Sequence, residues 1–182
     1  MPFQRLTATL FLLATGLALA AGQTVQFLDL TSEVPGDWVA SKPSSDMRLL
    51  QFTVPATGDA KGGDAEMVVY YFGQGQGGSL DANVKRWASQ FSTPGGDPVE
   101  PVITPLSGKM PATLVELKGN YARGVGMGPT GDAVPDRMLL AAVVETPSGN
   151  LYPQMHGPAD LVAAQKGAFV AFIEGIAPAP AK

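Results

Sequence analysis

Residues 70–87 read YYFGQGQGGSLDANVKRW, an apolar strand that passes through glycines into a helical pattern. Gly73, Gly75 and Gly78 fit G-x-G-x-x-G, the spacing of a dinucleotide-binding turn. The segment beyond the helix decides between a nucleotide site and a plain turn. A nucleotide unit needs a parallel inner strand ending in an acidic residue about 20 residues further on. That distance lands on GGDPVEP, where Asp97 and Glu100 stand among prolines. Proline cannot donate to a central ladder, so no inner strand fits there. The glycines are therefore expected to form a tight connector requiring positive φ. Capture of a small anion by the helix's first N–H groups is a minor alternative.

The surrounding pattern completes an antiparallel plan. TVQFLDL (24–30) reads as a first strand and SEVPGDW as a turn to Trp38, expected on a partly exposed loop. In MRLLQFTV (47–54), strict alternation sets Arg48, Leu50, Phe52 and Val54 on one face. EMVVYYF (66–72) is apolar on both faces, as a central strand would be. Ser79 caps a helix whose stripe is Leu80, Val84, Trp87 and Phe91, with Asp81 in its first turn. Four prolines in 99–111 leave room for an edge strand at most. Strands are then expected at 112–122, 137–145 and 151–157, with a long glycine-rich loop at 123–136. A last helix follows Pro158 and runs to about Ile176. Hairpin-length turns between strands give an α+β domain: an antiparallel sheet of about six strands flanked by helices.

The N-terminus sets the destination. Arg5 precedes an apolar run from Leu6 to Leu19, and Ala18-Leu19-Ala20 is the small-x-small pattern of a signal peptidase site. The run is shorter than the roughly 20 residues of a spanning helix. Residues 1–22 therefore read as a cleaved signal peptide, 23–177 as one domain and 178–182 as a disordered tail. Cleavage after Ala20 and after Gly22 both fit. The expected location is periplasmic or extracellular, with no membrane span after cleavage.

Composition then removes chemistries. The chain has no cysteine, which excludes thiol catalysis, thiolate metal sites and disulfides. The net charge of −4 gives no basic surface for nucleic acid. The one histidine, His156, comes with no G-x-S-x-G elbow and no S-x-x-K pair, so it reads as a surface or capping residue. Asp59, Asp64 and Glu66 cluster at a glycine-rich loop without the spacing of a calcium loop. Arg48 and Arg137 each open an apolar strand, as rim ion pairs or as an anion-binding edge. No cofactor or metal site is expected. The residues offered as a contact surface are Gly75, Gln76, Gly77, Arg86, Met127 and Trp38.

At SDMRLLQF, VVYYFGQGQGGSLDANVKRWASQF and DRMLLAAVVETPSG, the chain resembles a group of uncharacterised exported bacterial proteins. The glycine turn with Asn83, Arg86, Trp87, Gln90 and Phe91 is the most specific part. Element order and the PGDW turn (35–38) are also similar to the PsbP-type fold, an α/β/α sandwich. That second resemblance implies a non-catalytic accessory role. The preferred reading is thus an exported accessory or binding module of the cell envelope with a protein partner there. Its alternatives are an envelope-acting hydrolase using carboxylates or His156, and a weak calcium or small-anion binder using the 57–66 loop.

Overall fold

The computed structural model describes residues 22–56, 62–122 and 132–180. The chain runs β1 (Gln23–Phe27), β2 (Leu30–Val34), β3 (Val39–Ala40), β4 (Arg48–Val54), β5 (Ala65–Tyr71), α1 (Leu80–Ala88), β6 (Phe91–Ser92), β7 (Val102–Ser107), β8 (Pro111–Tyr121), β9 (Val134–Val144), β10 (Leu151–Pro158), α2 (Ala159–Gly175) and β11 (Ala177–Pro178). The main sheet has the order β3-β4-β5-β10-β9-β8-β6, with β7 also on β8, and a small sheet has the order β1-β2-β11. Every strand pairing described is antiparallel. The fold class is α+β as the pattern predicts. Eight strands rather than about six make the main sheet, because β3 and β6 are two-residue pairings with no alternation to read.

Period two explains why the middle of the sheet is apolar throughout. Met138, Leu140, Ala142 and Val144 of β9 join one core with Phe169, Phe172 and Ile173 of α2. The intervening Leu139, Ala141 and Val143 join a second core with Trp87 of α1. A helix therefore covers each face, and a strand between them must be hydrophobic at every position. Each fully buried side chain of α2 contributes roughly 1.5–3 kcal/mol. The small sheet closes over α2: Phe27 and Phe172 have ring centroids 6.2 Å apart, and Ser32 Oγ donates to Phe172 O at 2.6 Å.

Four local expectations are corrected. TVQFLDL is a hairpin rather than one strand: Phe27 pairs with Leu30, and Leu28 turns the chain at φ 53°. Trp38 is fully buried, not exposed, because α2 covers it; its Nε1 donates to Gln165 Oε1 at 3.1 Å and its ring meets Phe52. The tail does not fray at 178: Pro178 pairs with Leu30, and Ala179 N donates to Asp29 O at 2.8 Å. Arg48 does not share a face with Leu50, Phe52 and Val54. A register shift between Arg48 and Leu50 puts Arg48 opposite Tyr70, on the side of Gln51.

Candidate functional site

The glycine connector is built around Tyr152. Gly73, Gly75, Gly77 and Gly78 all have positive φ. The Tyr152 hydroxyl lies 3.1 Å from Gln76 O and 3.0 Å from Gly78 O. Buried Asn83 donates from Nδ2 to Gly77 O and Ser79 O, both at 2.9 Å, and its Oδ1 accepts from Arg86 Nη2. Ser79 Oγ caps the helix at Ala82 N. The carbonyls of this turn are thus tied to the protein's own side chains, and the strand beyond α1 is antiparallel.

Helix α1 covers only part of its face. Leu80, Val84 and Trp87 of α1 pack over Val115, Leu117, Leu139, Ala141, Val143 and Tyr152, and Phe91, expected on the helix stripe, joins them from β6 because the helix stops at Ala88. Where β5 and β10 continue past that cover, the sheet carries polar side chains on the same parity. Val68 stands opposite Gln154, and Glu66 stands opposite His156, which is itself opposite Leu139. These residues floor a cleft of about 530 Å³, walled by Ser44 and Arg48 on one side and by Gln90 and Tyr121 on the other.

Inside the cleft one charge pair is already matched. Arg48 Nη1 donates to Glu66 Oε1 at 3.0 Å, and Gln51 Nε2 donates to the same oxygen at 3.0 Å. Ser44 N in turn donates to Gln51 Oε1 at 3.1 Å. The guanidinium carbon of Arg48 lies 5.3 Å from the centre of the Tyr70 ring, a cation–π contact. The His156 ring lies 4.1 Å from Tyr121 and 6.4 Å from Phe91, centroid to centroid. Arg137 follows β9 to the rim and donates to Gly62 O at 3.3 Å. Partial burial lowers its pKa below the ordinary value, and Tyr121 acts in the opposite sense.

The residues expected to form one contact surface are not brought together. Gly75 and Gln76 are exposed at the Tyr71 end of β5, with Gly77 half-buried on Tyr152. Arg86 is exposed on α1 and Trp38 is buried on the other side of the sheet. Met127 lies outside the described residues; its flanks, Ala122 and Asp132, belong to the end of the sheet opposite the glycine turn. The carboxylates read as a cluster also part company. Asp64 Oδ1 accepts from Ala56 N at 2.9 Å, Glu66 takes Arg48, and Asp59 is outside the described residues. Tyr70, Gln90, Tyr121 and Gln154 are cleft residues that sequence reasoning missed. The available signal was Gln154 and His156 at alternate positions between buried neighbours, the mark of a polar window in a covered strand.

No protein-family model matches the chain, and no curated protein matches it. Solved structures do. Cyanobacterial PsbP (CyanoP) from Synechocystis sp. PCC 6803 superposes with a TM-score of 0.53 over 91% of this chain and 97% of that one, at 11% identity. The fold is PsbP-like. A Pseudomonas aeruginosa protein described as a putative regulator of unknown function matches 88% of this chain and 99% of its own, with a TM-score of 0.49 and 15% identity. At these identities the PsbP-like likeness speaks for architecture alone. Among the described residues no helix is long and apolar enough to cross a membrane.

Proposed function

We propose that this protein is an exported, non-catalytic binding module of the cell envelope, and that the cleft between β4, β5, β10 and the end of α1 is its recognition site. One observation carries the reading: α1 leaves part of its sheet face open, and that part is lined by polar side chains from strands otherwise buried on both sides. A concave opening in an otherwise covered sheet face, lined by a few polar side chains set among apolar ones, has the form of a small-ligand site. Support for export is the leader pattern at the N-terminus.

The test is to fill the cleft. Gln154→Trp places a large ring on its floor, and circular dichroism with thermal melting verifies that the variant folds. Wild type should retain components of an envelope extract that the folded variant does not. Equal retention by both proteins overturns the assignment of the cleft as the recognition site.

A second reading, hydrolysis of envelope material, draws on Glu66 and His156 standing opposite each other on β5 and β10. Against it, Glu66 Oε1 is held by Arg48 and Gln51, and Glu66 is the one carboxylate among the described lining residues. Glycoside hydrolysis ordinarily needs two carboxylates. Release of soluble fragments from purified cell wall by wild type, abolished in Glu66→Gln, would establish the hydrolase and remove the binding-module reading.

A further inference from the structure

We propose that the cleft takes an uncharged polyhydroxylated ligand, a glycan segment of one or two sugar rings. This inference rests on the cleft being the recognition site and names the chemistry that it recognises.

Charge is the first ground. Arg48 and Glu66 are the arginine and the carboxylate among the described lining residues, and they pair at 3.0 Å. The Arg48 side chain is only 14% exposed and lies over Tyr70, so its position is set before any ligand arrives. A phosphate or carboxylate reaching Arg48 here would share the guanidinium with Glu66 and sit beside that carboxylate. Like-charge contact of that kind works against binding. A neutral ligand leaves the pair intact.

Hydrogen-bonding capacity is the second ground. The Gln90 and Gln154 amides each present a donor and an acceptor side by side, and Ser44 contributes a hydroxyl at the rim. Adjacent sugar hydroxyls, each able to donate and accept, match such planar amides in pairs. An apolar ligand would instead strand these groups without partners, at a cost for each one. The third ground is the apolar part of the lining. Val68 and Leu139 are buried beneath the floor, but the half-buried Tyr70 and Tyr121 also line the cleft, and the C–H face of a pyranose ring can cover the exposed part of such a ring. The volume of about 530 Å³ falls within the roughly 300–1,000 Å³ of small-ligand sites.

Two-dimensional amide NMR of the mature protein reads the side-chain NH₂ signals of Gln90 and Gln154 directly. The probes are maltose and N,N′-diacetylchitobiose as neutral disaccharides, inorganic phosphate as an anion and glycylglycine as a zwitterion. At least one disaccharide should shift both amide signals, and phosphate and glycylglycine should not. Gln154→Ala should weaken that binding about tenfold, the loss of one or two hydrogen bonds. Glu66→Gln, which removes the charge that neutralises Arg48, should make the cleft respond to phosphate. If phosphate or glycylglycine shifts the wild-type signals and neither disaccharide does, the cleft remains a binding site and this assignment of its ligand is wrong. If no probe shifts them, the assignment also falls, and the cleft's wider role is decided by envelope retention in Gln154→Trp.

Discussion

The ring of Tyr152 fills the space beneath Gly77, where a β-carbon would stand 2.4 Å from the phenol. The hydroxyl of the same ring lies against the carbonyls on either side of that glycine. The G-x-G-x-x-G spacing overlaps a turn that is shaped by a side chain 75 positions later and by Asn83 in its own helix.

This contact separates two glycines with similar backbones. Gly75 (φ 71°) has nothing within 4 Å of an added β-carbon, whereas Gly77 (φ 91°) has Tyr152. Gly75→Ala should lose roughly 1 kcal/mol, the left-handed backbone strain alone. Gly77→Ala should lose roughly 2–4 kcal/mol, because overpacking is added to that strain. Tyr152→Phe, which leaves two carbonyls without the hydroxyl, should lose about 1–3 kcal/mol. Denaturant titration of the three variants checks the order, and equal losses at the two glycines would show that the phenol does not shape the turn.

At the opposite extreme, Leu28 holds φ 53° with half of its surface exposed. An L-residue with a β-carbon is strained in that conformation, and the exposed side chain gives little burial in return. Leu28→Asn should raise stability by about 0.5–1 kcal/mol, seen as a higher Tm. A lower Tm would mean that Leu28 makes contacts outweighing its backbone strain.

Both tryptophans are buried, Trp38 at 0% and Trp87 at 2% exposure, in separate cores on the two faces of the sheet. Native fluorescence should be blue-shifted and poorly quenched by acrylamide. Trp38→Phe keeps a ring against Phe52 and loses the hydrogen bond to Gln165, for a cost of about 1 kcal/mol. Efficient quenching of the native protein would return Trp38 to the surface.

The Arg48–Glu66 pair contributes little to folding. The Glu66 side chain is 49% exposed, so solvent screens its attraction to Arg48. Glu66→Gln should cost less than about 1 kcal/mol, with the difference shrinking as salt is added. A loss above about 2 kcal/mol would class the pair as buried and structural.

The fold was legible where one signal sufficed. The all-apolar runs of β5 and β9, the serine cap before α1, and prolines that confine β7 to an edge each identify an element without reference to the rest of the chain. The cleft was not legible, because its residues become neighbours only through register. Glu66 and His156 are 90 positions apart, and nothing local says that they stand side by side. Arg48 was assigned to the wrong face because a single irregularity reverses parity from that point on. The β1–β2 turn escaped because Leu-Asp lacks the Asn-Gly composition that marks two-residue hairpins. Trp38 looked like a loop aromatic because its cover, Gln165 and α2, arrives 127 residues later.

Strand β2 waits for β11: Leu30 and Thr31 find their second partners only at Pro178 and Ala177. Until those last residues arrive, α2 cannot be clamped from both sides, and Phe27 has no completed sheet to anchor it on Phe172. The small sheet is therefore completed only after residues 177–178, which follow α2, have been made, so contacts separated by about 150 positions close it.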